Sequence, residues 1–336
     1  MSTNQPIKLA VIDLTGVDTD PARLHEEGRR LDAINGELGF FCVSGTGISQ
    51  DLIDRMYAIT AEFFHLPDEV KQKSYRRDDI GMRGWEPAGE RGLAWSIGEK
   101  TPPDMREVFG SSREVDPNDP YYREVEGSNY FFAGTNWPEQ PEGFRQTWLE
   151  YYAEMERISG LIYRVMESAL GLKQGWFTQF NDRHASPMIS NYYPPTKSAL
   201  PGQLRAGAHT DYGAFTILYQ DDAPGGLQVL DQESNEWIDV LPTPGAFNIN
   251  IGDLLARWTN DRWVSTLHRV TLPPFDEAAG LSERISVPFF QQPNADAVIE
   301  CIPGCEGRGG AKYEPITSGA NWYNKNSATI EGYVQP

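Results

Sequence analysis

Three cysteines in 336 residues, Cys42, Cys301 and Cys305, are too few and of the wrong parity for a disulfide framework, which points to a reducing compartment. Cys301-x3-Cys305 without further donors is too little for a zinc site and reads as two small thiols in a C-terminal loop. Basic residues are scarce as well. With 29 Lys and Arg against 48 Asp and Glu, the formal charge is −19, which argues against a nucleic-acid backbone or an anionic membrane surface as partner. No apolar run approaches a membrane span, and residues 1–15 lack the basic start and long apolar core of a secretion signal, so a cytoplasmic protein is expected. Also missing are a Ser/Gly-rich linker, a low-complexity stretch and an internal repeat. The length would suit two average domains, but a β-rich domain with helical extensions also reaches it, and the chain reads as one compact unit. A His-Glu-x-x-His helix is absent too, which removes the usual metal-and-base arrangement of a zinc hydrolase.

What the chain does contain changes character along its length. Ile7 to Leu14 alternates as an edge strand does. Asp20-Pro21 supplies an N-cap and first-turn proline for an amphipathic helix to about Leu38. Gly39 to Val43 reads as a buried strand, and Ser49 caps a second helix that lasts until Pro67. From about Arg76 to Pro141 the chain is rich in Gly, Pro, Trp and charge, which predicts long irregular segments of the kind that shape a site; Trp85, Trp95, Phe109, Tyr130 and Trp137 argue that they are packed. A long helix follows over roughly Glu142 to Leu170, with Phe144, Trp148, Tyr151, Met155, Ile158, Ile162, Val165 and Ala169 on one stripe, ending at Gly171.

Beyond Pro187 the pattern becomes short strands between turn residues: Ala214–Gln220, Gly226–Leu230, Trp237–Val240, Ala246–Ile251, Trp263–Val270 and Arg284–Gln291. Such spacing predicts a jelly roll that holds a ligand between two sheets. Tyr313, Trp322 and Tyr323 mark a final helix. The expected organisation is an N-terminal α/β and loop region at 1–140, a packing helix and connector at 141–182, a jelly-roll core at 183–295 and a C-terminal extension at 296–336. The fold class is therefore mainly β with α.

Within the core, His209 and Asp211 stand two residues apart, and on an extended strand such side chains leave the same face. His268, on a distant strand, would complete two histidines and one carboxylate on one side of an ion, a set that suits non-haem Fe(II) and leaves positions open. Arg284 and Ser286, and likewise Asn191 and Tyr193, repeat the spacing on strand-like segments. A guanidinium aimed into a strand-lined interior needs an anion, and its planar fork matches a carboxylate. If no protein acid fills that role, a ligand acid must meet Arg284, with Ser286 and Tyr193 adding hydroxyls and Asn191 orienting the tyrosine or the ligand. His25, His65 and His184 read as structural or surface residues, and Asp253 and Asp261 as turn residues. Phe215 and Leu218 read as core.

Asn191 to Pro195, His209-Thr210-Asp211, Gly225 to Val229, Ile251-Gly252-Asp253, Ser265 to Val270 and Arg284-Ile285-Ser286 occur in an order that resembles the Fe(II)/2-oxoglutarate-dependent oxygenases. The resemblance is closest to the isopenicillin N synthase-like branch. It spans most of the chain and is most specific from Asn191 to Phe290. Two departures stand out. Val43-Ser44-Gly45-Thr46-Gly47-Ile48 keeps only the Gly-Ile end of an Asn-His-Gly-Ile element, and the link from His268 to Arg284 looks long, with Pro273, Pro274 and Gly280 marking an inserted turn. The resemblance implies a double-stranded β-helix core and Fe(II) on His209, Asp211 and His268. It also implies 2-oxoglutarate as cosubstrate with its far carboxylate at Arg284, Ser286, Tyr193 and Asn191, and O2 as oxidant. A small-molecule substrate would be hydroxylated, desaturated or cyclised as succinate and CO2 are released. Phe290, sharing a face with Ser286, and Arg83, Trp85, Met105 and Arg106 in the N-terminal loops are the candidate substrate contacts. Two alternatives stay open at this point. An oxidase of the isopenicillin N synthase kind would place a substrate carboxylate on the Arg-x-Ser pair, which Asn191 and Tyr193 weigh against. A non-catalytic binding jelly roll is at odds with an intact open-sided iron site.

Overall fold

The computed structural model describes residues 5–76, 83–90, 92–99, 101–194, 204–219, 226–232, 234–271 and 283–331. Pro273, Pro274 and Gly280 of the expected inserted turn lie outside these residues, as do Pro195 and Gly225 of the motifs.

The N-terminal half runs β1 (Val11–Asp13), α1 (Pro21–Glu37), β2 (Phe40–Ser44), α2 (Gln50–Phe64), α3 (Asp68–Lys71), β3 (Gly84–Glu86), β4 (Glu107–Ser112), α4 (Tyr121–Glu124), α5 (Ser128–Phe131) and α6 (Phe144–Leu170). Next come β5 (Pro187–Tyr193), β6 (Ala206–His209), β7 (Phe215–Tyr219), β8 (Leu227–Asp231), β9 (Glu236–Asp239) and β10 (Phe247–Ile251). The chain closes with α7 (Asp253–Trp258), β11 (His268–Val270), β12 (Arg284–Ser286), β13 (Phe289–Gln291), β14 (Val298–Ile299), β15 (Ile316–Thr317) and α8 (Ser318–Glu331).

Local chemistry accounts for the helix starts. Asp20 accepts the backbone N–H groups of Ala22 and Arg23 ahead of α1, and Ser49 Oγ accepts that of Leu52 in α2, each satisfying donors that the first helical turn leaves without partners. Both helices pack against α6. Phe144, Trp148, Tyr151, Met155, Ile158, Ile162 and Val165 of α6 are buried, as their periodicity requires, while Ala169 on the same stripe is half-buried. The helix ends at Gly171, whose φ of 68° is costly for any residue with a Cβ.

The major sheet has the order β1-β2-β10-β7-β13-β5-β4-β3, with β12 also paired to β5; the minor sheet is β6-β11-β8-β9. Strand alternation divides the major sheet between two environments. Phe41, Val43, Met188, Phe215, Ile217, Phe247, Ile249, Ile285 and Phe289 join the core that includes α6. On the opposite face, Asn191, Tyr193, Thr216, Leu218, Asn248, Asn250, Arg284 and Ser286 line a cavity of about 480 Å³ shared with His209, Leu227 and His268 of the minor sheet. Its size suits a small ligand. Phe40 and Cys42 pack on Leu227 and Val229, joining the two sheets beside it. Paired sheets around a ligand-sized space make the expected jelly-roll core.

Several boundaries differ from expectation. Residues 76–141 contain β3 and β4, which extend the major sheet, together with α4 and α5. The edge strand at Ile7–Leu14 shortens to β1, with Ile7 bridging Val240 on its own. Trp263–Val270 shortens to β11, and Arg284–Gln291 divides at Val287-Pro288, where proline has no N–H to give a ladder. No helix among the described residues is long and apolar enough to cross a membrane.

Candidate metal centre

β6 and β11 are neighbours, and their register sets His209 directly opposite His268. β6 ends at His209, so Asp211 stands in the turn after the strand rather than on it, as the spacing had suggested. The side chains converge nevertheless. Asp211 Oδ1 lies 3.8 Å from His209 Nε2 and 3.9 Å from His268 Nε2, and the ring centroids are 4.3 Å apart. One donor atom from each residue falls within 4.8 Å of the other two.

Each ring is held through its other nitrogen. His209 Nδ1 faces the carbonyl of Gly207 at 2.7 Å and His268 Nδ1 that of Thr266 at 3.1 Å. A carbonyl only accepts, so Nδ1 carries the proton and Nε2 keeps its lone pair for a metal. Burial, together with the neighbouring His268, lowers the His209 pKa to about 3 and keeps that ring neutral. Burial alone would raise the Asp211 carboxyl, but the two imidazoles and its hydrogen bonds outweigh this and hold it below its ordinary value. Those bonds fall on Oδ2, which accepts from Thr216 Oγ1 and, at 2.6 Å, from Asn250 Nδ2. Oδ1 is thereby turned to the histidines. Two imidazole nitrogens and one carboxylate, all bordering the cavity, fit Fe(II) with coordination positions left to ligands.

Asp253, expected only as a turn residue, braces this segment. Its backbone N–H donates to the Asp211 carbonyl at 2.7 Å, and its carboxylate accepts from Thr210 Oγ1 at 3.1 Å and from Lys325 Nζ at 2.8 Å. Gly252 makes that approach possible, since a Cβ there would meet the Gly213 carbonyl at 2.2 Å.

The second cluster forms where β12 pairs with β5, with Arg284 opposite Tyr193 and Ser286 opposite Asn191. Asn191 Nδ2 donates to Ser286 Oγ at 3.3 Å, and Arg284 is 3% exposed with its Cζ 5.7 Å from the Tyr193 ring centre. Arg205, which no motif flagged, sits 5.6 Å from the same ring centre. Arg106 Nη1 donates to Asn191 Oδ1.

Among the candidate substrate contacts, Phe290, Arg83 and Arg106 line the cavity. Arg83 spends its guanidinium on Ser112 Oγ and on the carbonyls of Tyr130 and Phe131, fixing α5 at the cavity wall. Trp85 does not reach the cavity. It pairs across the sheet with Phe109 in the helical core, and its indole N–H donates to Glu107. Met105 is not among the lining residues either; its backbone N–H bonds the Leu204 carbonyl. His25 is exposed, His65 pairs with Glu283, and buried His184 pairs with Glu156. Thr216, Asn250, Trp322 and Asn326 border the cavity without having been anticipated. The β10 sequence Phe-Asn-Ile-Asn-Ile held a usable signal, because amides alternating with large apolar residues must face something polar.

Residues 184–293 match the 2OG-Fe(II) oxygenase superfamily, and residues 9–134 match the family described as non-haem dioxygenase in morphine synthesis N-terminal. Homoarginine-6-hydroxylase 2-ODD-233 of Oryza sativa subsp. japonica is 33% identical over 329 residues, covering 93% of each chain. The 2-oxoglutarate-dependent dioxygenase citB of Monascus ruber is 31% identical over 347 residues, covering 99% of this chain and 95% of that one. Among solved structures, a full-length Neurospora crassa protein in complex with alpha-KG aligns with a TM-score of 0.82 at 28% identity, over 97% of this chain and 98% of that one. The chain belongs to the 2OG-Fe(II) oxygenase superfamily, in its isopenicillin N synthase-like branch, and is an Fe(II)- and 2-oxoglutarate-dependent dioxygenase.

Proposed function

We propose that this dioxygenase hydroxylates a C–H bond of a small organic molecule, and that Arg284, Ser286, Tyr193 and Asn191 hold the cosubstrate. When bound, Fe(II) and 2-oxoglutarate with O2 supply the oxidising chemistry, one oxygen atom ending in succinate and the other in the product as CO2 leaves. Arg284 offers its fork to the far carboxylate of 2-oxoglutarate, with hydroxyl donors from Ser286 and Tyr193. Asn191 holds Ser286 in place. His209, Asp211 and His268 fix the ion, and the carbonyls of Gly207 and Thr266 with Thr216 and Asn250 fix those three. Phe290, Phe131 and Trp322 wall the space and exclude water from the bond to be oxidised. The observation that carries this reading is the β12–β5 register, which sets a deeply buried guanidinium on the wall of the cavity that the three metal ligands border. The rice relative is named for a hydroxylation, which favours that outcome over desaturation or ring closure.

The test is succinate release under air from the Fe(II) protein supplied with 2-oxoglutarate. Slow substrate-free turnover is expected, and Arg284→Gln should raise the KM for 2-oxoglutarate by about ten- to a hundredfold. An unchanged KM in that variant would contradict the placement of the carboxylate. Oxygen uptake without succinate would favour an oxidase that seats a substrate carboxylate on Arg284.

A further inference from the structure

We propose that the substrate of this enzyme bears a carboxylate on a largely apolar body, and that Arg106 is the residue that receives it. The inference rests on the reading above, with 2-oxoglutarate at Arg284. Arg106 lies just before β4, with 9% of its side chain exposed. Its Nη1 donates to Asn191 Oδ1 and its Nε is 3.5 Å from Asp104 Oδ2. Asp104 is fixed in turn, accepting the backbone N–H groups of Leu93 at 3.1 Å and Gly207 at 3.0 Å. The guanidinium is thus oriented from two sides, while its Nη2 meets no acceptor among the described residues and the residue borders the cavity. Asp104 offsets part of the charge, but at 3.5 Å through a single nitrogen it falls short of the bidentate pair that satisfies an arginine.

Strand order decides which ligand faces this open edge. Arg284 and Ser286 lie on β12, Asn191 and Tyr193 on β5, and Arg106 beside β4, on the far side of β5 from Arg284. A 2-oxoglutarate reaching from the metal ligands to Arg284 takes the β12 side and leaves the β4 side to the molecule being oxidised. The other charges there are already committed. Glu90 accepts from the Tyr75 hydroxyl at 3.0 Å and from Arg76 Nη2 at 3.2 Å, and Arg83 holds the α5 carbonyls. Leu93, Trp95, Phe131, Phe290 and Trp322 make most of the remaining wall apolar, with Gln292 and Asn326 among its polar members. A rigid donor edge in an apolar chamber favours a planar anion over a neutral acceptor. Through Asn191, which links Arg106 to Ser286, the two carboxylate positions share one hydrogen-bonded chain.

The experiment uses the full-length protein loaded with Fe(II) and saturating 2-oxoglutarate under nitrogen, so that Arg284 is occupied beforehand. Benzoate, cyclohexanecarboxylate, 3-phenylpropionate and octanoate are titrated calorimetrically, each beside its primary amide. At least one acid should bind about tenfold or more tightly than its amide. Arg106→Gln should abolish that ratio and Arg106→Lys should keep part of it; because each variant supplies its own acid-to-amide ratio, a general loss of affinity does not imitate the result. If Arg106→Gln fails to fold, the wild-type ratio and the lysine variant decide. No acid binding in the wild type, equal acid and amide affinities, or a preference that survives Arg106→Gln would overturn the proposal. Failure of the underlying reading shows earlier and separately, as no visible charge-transfer band when 2-oxoglutarate is added to the Fe(II) form.

Discussion

Replacing Asn250 by leucine removes one of the two donors that turn Asp211 toward the histidines while keeping a side chain of similar size. Asn250 is 6% exposed and its amide donates at 2.6 Å to a carboxylate held ionised. Hydrogen bonds to charged groups contribute about 1.5–3 kcal/mol, but Thr216 still donates to the same oxygen, so the lower part of that range applies. Outer partners of metal ligands are worth roughly ten- to a hundredfold in affinity, or about 1.4–2.7 kcal/mol, and the two figures agree. Asn250→Leu should therefore weaken Fe(II) binding about tenfold, measured by anaerobic titration of the metal-free protein. Asn248→Leu is the control, since Asn248 shares the face two residues earlier but accepts from Cys42 Sγ instead. Wild-type affinity in Asn250→Leu, or an equal loss in Asn248→Leu, would refute the reasoning.

Asp253→Ala removes the acceptor shared by Thr210 and Lys325 and should cost about 1–3 kcal/mol in urea denaturation. Its effect on metal affinity should be smaller than that of Asn250→Leu, because the backbone N–H of residue 253 still reaches the Asp211 carbonyl. Glu114 is held below the ordinary glutamate value by its hydrogen bonds from Arg145 first and by Trp137. A carboxyl with a depressed folded pKa stabilises above its unfolded pKa and loses that contribution as pH falls through the folded value. With both partners more than a third exposed, the contribution stays under about 1 kcal/mol. Urea midpoints of Glu114→Gln and wild type should accordingly differ slightly at neutral pH and draw together as pH falls through the lowered carboxyl pKa; a gap that widens on acidification would contradict this.

The parts of the fold that were legible in the sequence are those where one periodicity ran long enough to count. Asp20 and Ser49 announced their helices through capping chemistry, and the stripe from Phe144 to Val165 predicted which face of α6 is buried. β3 and β4 were not legible, because strands of three and six residues interrupted by Gly84 and Gly110 carry too little alternation to stand out. Trp85 turns to the core rather than the cavity for a related reason: which face of a three-residue strand meets the core depends on its partner, here Phe109, which no local pattern discloses. At the site, His209, Asp211 and His268 were readable because the ligand types are few and their spacing short. Thr216, Asn250 and Asp253 were not, since hydroxyls, amides and turn carboxylates are common, and only the pairing of β10 with β7 and the position of α7 give these three a task. Arg106 stands out in the sequence as a loop arginine, yet its bond to Asn191 depends on the β4–β5 pairing.

The most direct test of the central claim is anaerobic iron binding followed by 2-oxoglutarate addition, compared between the wild type and Asp211→Ala. The wild-type chain should bind one Fe(II) and develop a visible charge-transfer band with 2-oxoglutarate, and the variant should do neither. A variant that takes up iron and shows the same band would contradict the assignment of His209, Asp211 and His268 as the metal centre.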